Sequence, residues 1–412
     1  MRVAARAKAK PKLPLEYNLL LTATLCLLAL GAVMVYSASS ARTLLQGDGD
    51  GTTYLVRYVA YGAVGFVALH VIARRGLDAV VALTGPLLAV SFACLVAVKL
   101  PGLGVEVNGA RRWLGAGPLT FQPSEVAKLA LVLYGAKFLA QKPGRIRTPR
   151  NAMPLLLVAG TMLLLVASQP DLGTALVIAF TLTALLVAGG LPVRYLLIGA
   201  GAAAFLVMVY AVSEPYRRAR LTTFIDPWSH AGGAGFQAVQ GQIALGSGGL
   251  FGRGIGQSVQ KIFYLPEAHT DFILAIIGEE LGVAGVTAVL FLYGLLAYAG
   301  LRVAKTAKGA YAKLLAAGIT SLILSQACLN VFAVLGLAPL TGVPLPFISY
   351  GATNLTVLLA GMGLLLNVAA GGTAHLRVVE GSRRHGSDDR HRRGRDSGSR
   401  GAGTGGRRRA AG

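Results

Sequence analysis

Between Tyr264 and Gly282 the chain reads YLPEAHTDFILAIIGEELG, which sets His269 and Asp271 at the mouth of an apolar run and Glu279 and Glu280 further in. An ionised carboxylate beside apolar surface is costly unless it is paired or used. Two readings fit. Either Thr270 or Asp271 caps the helix that follows and favours its positive end, or Asp271 is a carboxylate overlooking a groove wide enough for a lipid-linked substrate. At helical spacing Asp271, Ala275, Gly278 and Gly282 share one face, so the carboxylate stands above a strip with almost no side chains. Such a strip accommodates a lipid-linked substrate, or simply lets helices pack closely. Glu279 is about 80° round from Asp271, and Glu280 faces the opposite way.

Other chemically suggestive residues stand at the starts of apolar runs. In FQPSEVAK, Pro123 and Ser124 open a helix, and Glu125 and Lys128 form an i,i+3 ion pair on its first turns. In QPDLGT, Asp171 is placed to cap the next helix but one. Three helices therefore present a carboxylate at one level, the pattern of a polar cavity. Trp113, beside Arg111 and Arg112, is either an interfacial aromatic or a platform for a sugar or headgroup. Arg217 and Arg220 in PYRRARL match the bidentate geometry of phosphate oxygens, or else snorkel to the interface. His269 alone fits a hydrogen-bonded loop histidine as well as a chemical one. GLFGRGIG follows no strand of a βαβ unit, so it is not a dinucleotide fingerprint. Neither a Walker A sequence nor HExxH occurs, and Cys26, Cys94 and Cys328 lie in apolar runs without metal-ligand spacing.

The elements that must carry these residues are membrane helices. The 412 residues are 54% hydrophobic and 14% charged, too apolar for a soluble chain of this length. The +22 net charge is gathered in the first twelve residues, the last forty and short loops, as membrane anchoring predicts, and does not point to nucleic acid. Apolar runs predict an all-α fold of about ten spans, at 17–38, 54–73, 79–98, 125–140, 152–168, 172–189, 193–212, 271–300, 313–335 and 350–370. With the N-terminus inside, nearly every short inner loop is rich in Lys and Arg, and both termini are cytoplasmic. Residues 1–16 form a basic N-terminus, 17–370 the membrane domain and 371–412 a disordered Arg/Gly/Ser-rich tail drawn to anionic lipid. The segments 99–124, 168–173, 213–270 and 336–349 then lie outside, 213–270 as a large loop between spans seven and eight. Asp271 stands at the outer end of the eighth span. The YSASSA stretch after the first span resembles a cleavage site, but with further spans following, the first is an uncleaved anchor.

In order along the chain, GARRWL, QPSEVAK, QPDLGTA, PYRRARL, the DPWSHAGGAGFQAVQGQIALGSGGLFGRGIGQSVQK segment, YLPEAHTDFILAIIGEELG and PLPFISYGATN resemble the SEDS family (shape, elongation, division and sporulation proteins). The likeness runs from Tyr17 to Ala370 and is closer to the division branch than to the elongation branch. One departure is SYGAT, where many members read Ser-Tyr-Gly-Gly-Ser. The resemblance implies a bacterial plasma-membrane enzyme that polymerises lipid II into peptidoglycan on the outer face. Asp271 falls on the family's essential aspartate, and Trp113 on its loop tryptophan. Glu125, Lys128 and Asp171 match its cavity residues, Arg217 and Arg220 its loop arginines. Ser349 and Tyr350 lie in the signature before the last span, and His269 lies in the loop motif beside Asp271. It also implies dependence on Mg²⁺ or Mn²⁺, for which the sequence shows no ligand cluster. Implied partners are a class B penicillin-binding protein, other division proteins and membrane lipids. A lipid II flippase and a recruiting scaffold are the alternatives. A flippase needs polar groups along a path through the midplane, where the sequence puts only Glu279 and Glu280.

Overall fold

Among the described residues, ten long helices form where the apolar runs predict them. The computed structural model describes residues 13–46, 50–107, 110–116, 119–142, 146, 148–212, 223–233, 235–262 and 264–374. In chain order the helices are α1 (Leu15–Gln46), α2 (Thr53–Arg74), α3 (Leu77–Ala97), α4 (Pro123–Ala140), α5 (Pro149–Ala167), α6 (Leu172–Ala188) and α7 (Val193–Val212). A short α8 (Phe236–Ser247) precedes α9 (Ile273–Thr306), α10 (Ala310–Val334) and α11 (Ala352–Ala369). Seven of them are long and apolar enough to cross a bilayer, which makes this a multi-pass membrane protein. Arg217, Arg220, nearly all of the C-terminal tail and most of the N-terminal extension fall outside the described residues.

The helices form a centre and a periphery. The most apolar stretches of α10 and α11 are 72% buried, against 17–39% for the other five candidate spans. α10 packs on α9, α6, α4 and α11, while α2 lies along α11 and α1 along α9. Helices surrounded on all sides make the core, and those apolar on an outward face are the ones lipid would cover.

Two features go beyond the helical expectation. The segment expected as a loop at 99–124 carries a small antiparallel sheet of β1 (Gly104–Val107), β2 (Ala110–Ala116) and β3 (Leu119–Phe121), in the order β1-β2-β3. The segment at 336–349 is not a surface loop either. Val343, Leu345, Phe347 and Ile348 are buried, and the Tyr58 and Tyr293 hydroxyls donate to the carbonyls of Phe347 and Pro346.

The eighth expected span, 271–300, is not one straight helix. α9 begins at Ile273, two residues after Asp271, and breaks at Gly282, whose φ of 68° and ψ of −163° are open essentially to glycine alone. A Cβ built on Gly285 would lie 3.4 Å from Ile277, eight residues back. Along a straight helix that separation is about 12 Å, so the chain turns sharply at the break. Asp271, Ala275, Gly278 and Gly282 therefore do not share one continuous helical face. Residues 283–306 alone rise about 36 Å, enough to cross a hydrocarbon core of about 30 Å.

The broken backbone is completed by the glycine-rich segment that follows α8. The Glu279 and Glu280 carbonyls accept from Arg253 and Gly254 N–H at 3.0 Å each, and Val283 and Ala284 N–H donate to the Gly249 and Leu250 carbonyls at 3.0 and 3.1 Å. These four bonds give partners to groups released at the break, as buried backbone requires. Gly252, at φ 80°, lets the two backbones meet, because a Cβ there would strike the Glu280 carbonyl. Gly282→Ala is expected to cost at least about 1–3 kcal/mol in backbone strain. It should show as a fall in melting temperature of the purified protein, and an unchanged value would mean that the segment yields.

Candidate functional site

Asp271 sits in the last residues before α9 and does not cap it. The N-cap position is Phe272, with no side-chain cap hydrogen bond, which removes the capping reading for Asp271 and for Thr270. Instead Thr270 Oγ1 donates to Asp271 Oδ1 at 2.7 Å. The other oxygen, Oδ2, faces Gly342, and the Asp271 backbone N–H also bonds this carboxylate. Although part of its surface is open, protein crowds it on most sides. That burial lifts its carboxyl from the usual range to about 6, against the Thr270 hydrogen bond and with a further upward push from Glu267.

The carboxylate borders a shallow recess with Asn330, Thr341 and Gly342 among its walls. Asn330 fixes this corner: its Nδ2 donates to the Asp271 carbonyl at 2.7 Å and to the Val343 carbonyl at 2.8 Å. One helical turn back on the same face of α10, Gln326 Nε2 donates to the Pro344 carbonyl at 3.1 Å, while Gln326 Oε1 accepts from Lys128 Nζ at 3.0 Å.

Lys128 also donates to Glu125 at 2.9 Å, and Asn354 Nδ2 donates to the other Glu125 oxygen at 2.6 Å. Both charges are buried, so the ion pair expected at the start of α4 is an internal one that joins α4, α10 and α11. Asp171 caps α6 by accepting from Thr174 N–H at 3.2 Å and accepts from Gln122 Nε2 at 3.1 Å. Just after it, Gly173 lies against Thr341 so closely that a Cβ would strike it. Residues 341–344 thus meet Asp271 directly, Glu125 only through Lys128 and Gln326, and the Asp171 cap only through Gly173.

The other predicted residues take structural places around this corner. The His269 ring packs against Tyr54 at 4.4 Å between centroids and Tyr350 at 5.7 Å, tilted by 55° and 47°, and its carbonyl accepts from Tyr350 N–H at 2.9 Å. Burial holds its imidazole down to about 4, outweighing the upward pull of Glu267, and Arg42 adds to the lowering, so at neutral pH the ring is uncharged. Arg57 hydrogen-bonds Tyr350 from the other side. Ser349 Oγ accepts from Leu345 N–H at 2.8 Å and closes the turn before α11. Trp113, half-buried on β2, pairs with Val105 and is not among the groups that touch Asp271. Its neighbour Arg112 donates to the Gln169 carbonyl at 3.0 Å and to the Pro170 carbonyl, tying the sheet to the end of α5. Arg111 pairs with Glu106 in the open.

Glu279 and Glu280 do not line a path through the midplane. They sit at the break in α9, wholly buried. Glu280 accepts from Ser37 Oγ at 2.7 Å and from Lys261 Nζ at 2.8 Å. Glu279 accepts from Ser258 Oγ at 2.5 Å and pairs with Arg253 at 3.4 Å. Two cations match two carboxylates, which is how charge survives burial. Sequence reasoning passed over Lys261, Ser258 and Ser37, and also Gln326, Asn330 and Thr341. The signal for Gln326 and Asn330 was present: two amides, i,i+4, inside the apolar run LILSQACLNVFAV.

Comparison with known proteins agrees with this architecture. The model of the cell cycle protein family of FtsW, RodA and SpoVE matches residues 17–373. Stage V sporulation protein E of Bacillus subtilis strain 168 is 40% identical over 354 residues, covering 85% of this chain and 96% of that protein. A protein of Geobacter sp. strain M18 named probable peptidoglycan glycosyltransferase FtsW is 39% identical over 341 residues, covering 82% of this chain and 92% of its own. Among solved structures, a chain of a peptidoglycan synthase complex that coordinates polymerization and crosslinking superposes with a TM-score of 0.71. It is 32% identical and covers 85% of this chain and 96% of its own. The rod shape determining protein RodA of Thermus thermophilus gives a TM-score of 0.64 at 30% identity, over 86% of this chain and 97% of that one. A match through all ten long helices, at this identity, places the chain in the FtsW, RodA and SpoVE family of cell cycle proteins.

Proposed function

We propose that the protein is a peptidoglycan glycosyltransferase of the division type, which polymerises lipid II on the outer face of the bacterial plasma membrane. The observation that carries this reading is Asp271: a partly exposed carboxylate that caps no helix and borders a shallow recess, in a chain whose relatives carry that activity in their names. Extending a glycan requires the 4-hydroxyl of one sugar to attack the anomeric carbon of another. The new C–O bond forms as the bond to the pyrophosphate breaks, with inversion at carbon, and undecaprenyl pyrophosphate leaves. Asp271 Oδ2 takes the hydroxyl proton. One base and no second carboxylate are required, unlike in glycoside hydrolysis. The leaving group needs positive charge, the role assigned to Arg217 and Arg220.

A resident Mg²⁺ or Mn²⁺ does not fit the residues around Asp271. That recess supplies one carboxylate and otherwise neutral oxygens, and no group of three His, Cys, Asp or Glu occurs among the described residues. A divalent cation would arrive on the pyrophosphate of the substrate. By the same reading the partner is a class B penicillin-binding protein, because a glycan strand bears tension only once its peptides are cross-linked. Other division proteins and membrane lipids complete the surroundings.

The deciding experiment incubates purified protein and its cognate transpeptidase with labelled lipid II and resolves the products on a glycan gel. Long glycan is the expected result. Absence of polymer, with labelled lipid II crossing vesicle bilayers instead, would replace this reading with the flippase.

A further inference from the structure

Helices α1 and α9 lie side by side and are tied at both ends. Arg302 pairs with Glu16 at 2.8 Å at one end, and Glu280 accepts from Ser37 Oγ at 2.7 Å at the other. Glu16 to Ser37 is a rise of about 32 Å along α1, close to the hydrocarbon thickness of about 30 Å. The residues between, 17–36, carry no charge. The two ties therefore mark the two boundaries of the hydrocarbon, and the break at Gly282 lies at the one on the Asp271 side. Residues 249–254 sit at that level, held by their backbone bonds to Glu279, Glu280, Val283 and Ala284. Their side chains are not those of a water-facing loop. Leu250 is 69% exposed, Phe251 83% and Ile255 58%. Of the two charged residues between Gly248 and Ile262, Lys261 is buried and Arg253 pairs with Glu279 at 3.4 Å.

Single exposed apolar side chains are ordinary on any protein surface; a cluster on a backbone pinned so that it cannot fold inward is not. The patch continues directly into the spanning part of α9, where Val283, bonded to the Gly249 carbonyl, is 55% exposed and Phe291, two turns on, 64%. We propose that residues 249–255 are a bilayer anchor. Leu250, Phe251 and Ile255 enter the acyl chains just inside the boundary, and Arg253 stays level with the lipid phosphates. Depth and continuity name lipid as the occupant. The patch opens at the hydrocarbon edge, runs on into a spanning helix and exposes one cation and no acid, which matches acyl chains beneath an anionic headgroup. The anchor sets the depth of the segment that supplies Ser258 and Lys261 to the buried glutamates, so the bilayer itself supports the break in α9.

Phe251→Trp in the full-length protein, held in nanodiscs of phosphatidylethanolamine and phosphatidylglycerol, reads the depth directly. An exposed position accepts the larger ring without repacking, and an unchanged melting temperature checks the fold. Leu250→Trp is the second reporter, for use where the first does not fold. Wild-type emission, from Trp113 and Trp228, is subtracted. The added tryptophan is expected to emit to the blue of one in water and to resist aqueous iodide. It is also expected to lose most of its intensity when the lipids are brominated on the upper acyl chain. Quenching by iodide with none by bromolipid would overturn the proposal. So would shielding from iodide, without bromolipid quenching, that appears only when the cognate transpeptidase is added, which marks a protein-docking face. The same shielding confined to discs that hold two copies would overturn it in favour of self-association. No readout here depends on catalysis, so the outcome stands apart from that of the glycosyltransferase reading.

Discussion

Asp271→Asn is expected to lower the rate of lipid II polymerisation by about 10²–10⁴-fold, the range for losing a positioned base, with no loss of folded protein. Asparagine keeps the shape and can still receive the Thr270 hydrogen bond. Stability should hold or rise at neutral pH, for a reason of sign. The Asp271 carboxyl is raised to about 6 in the folded protein, above its ordinary value of 3.8, so the unfolded chain gives up this proton first as pH rises. Ionisation in the fold therefore works against folding between those two values, and the neutral amide removes that opposition. The same shift predicts the pH profile. A base must be deprotonated, so the wild-type rate should be flat above pH 7, halved near 6 and about tenfold lower for each further unit below. Rates measured with saturating lipid II from pH 5 to 8 would check this. Activity in Asp271→Asn near that of wild type would end the assignment.

The second large effect lies away from the chemistry. Lys261→Met is expected to destabilise the protein by about 3–5 kcal/mol, because it leaves Glu280 wholly buried without its cation. Ser37 and the Ser258 N–H would remain on that carboxylate, but neither carries charge. The double change Lys261→Met with Glu280→Gln removes the unpaired charge and should recover most of the loss. Melting curves of the three variants in one detergent decide it. If the single change leaves the transition in place, the pair is not what holds the glycine-rich segment to α9.

How much of this was legible in the sequence depended on whether the signal was local. The ten helices were, because a bilayer demands long apolar runs, and Glu125 with Lys128 and Asp171 with Thr174 were, because pairing and capping act within one turn. The sheet had a signal too: Asn108–Gly109 between alternating GVEV and ARRWLG is the mark of a two-residue hairpin. The break at Gly282 was hidden, because its cause is the backbone of residues 249–254, some thirty positions earlier. A glycine in an apolar helix equally signals close packing. Lys261 was hidden for the same reason: its partner is defined only once the segment folds back. Thr341 and Asn330 meet Asp271 through three separate elements, a convergence that no spacing along the chain encodes.

The completed break in α9 has a consequence for how the protein is made. Residues 283–306 suffice as a membrane insert, but the groups at Gly282 have no partners until residues 248–254 lie against them. That stretch is synthesised first and pairs with a helix that follows it in the chain. The break in α9 is therefore completed only once both segments have been made.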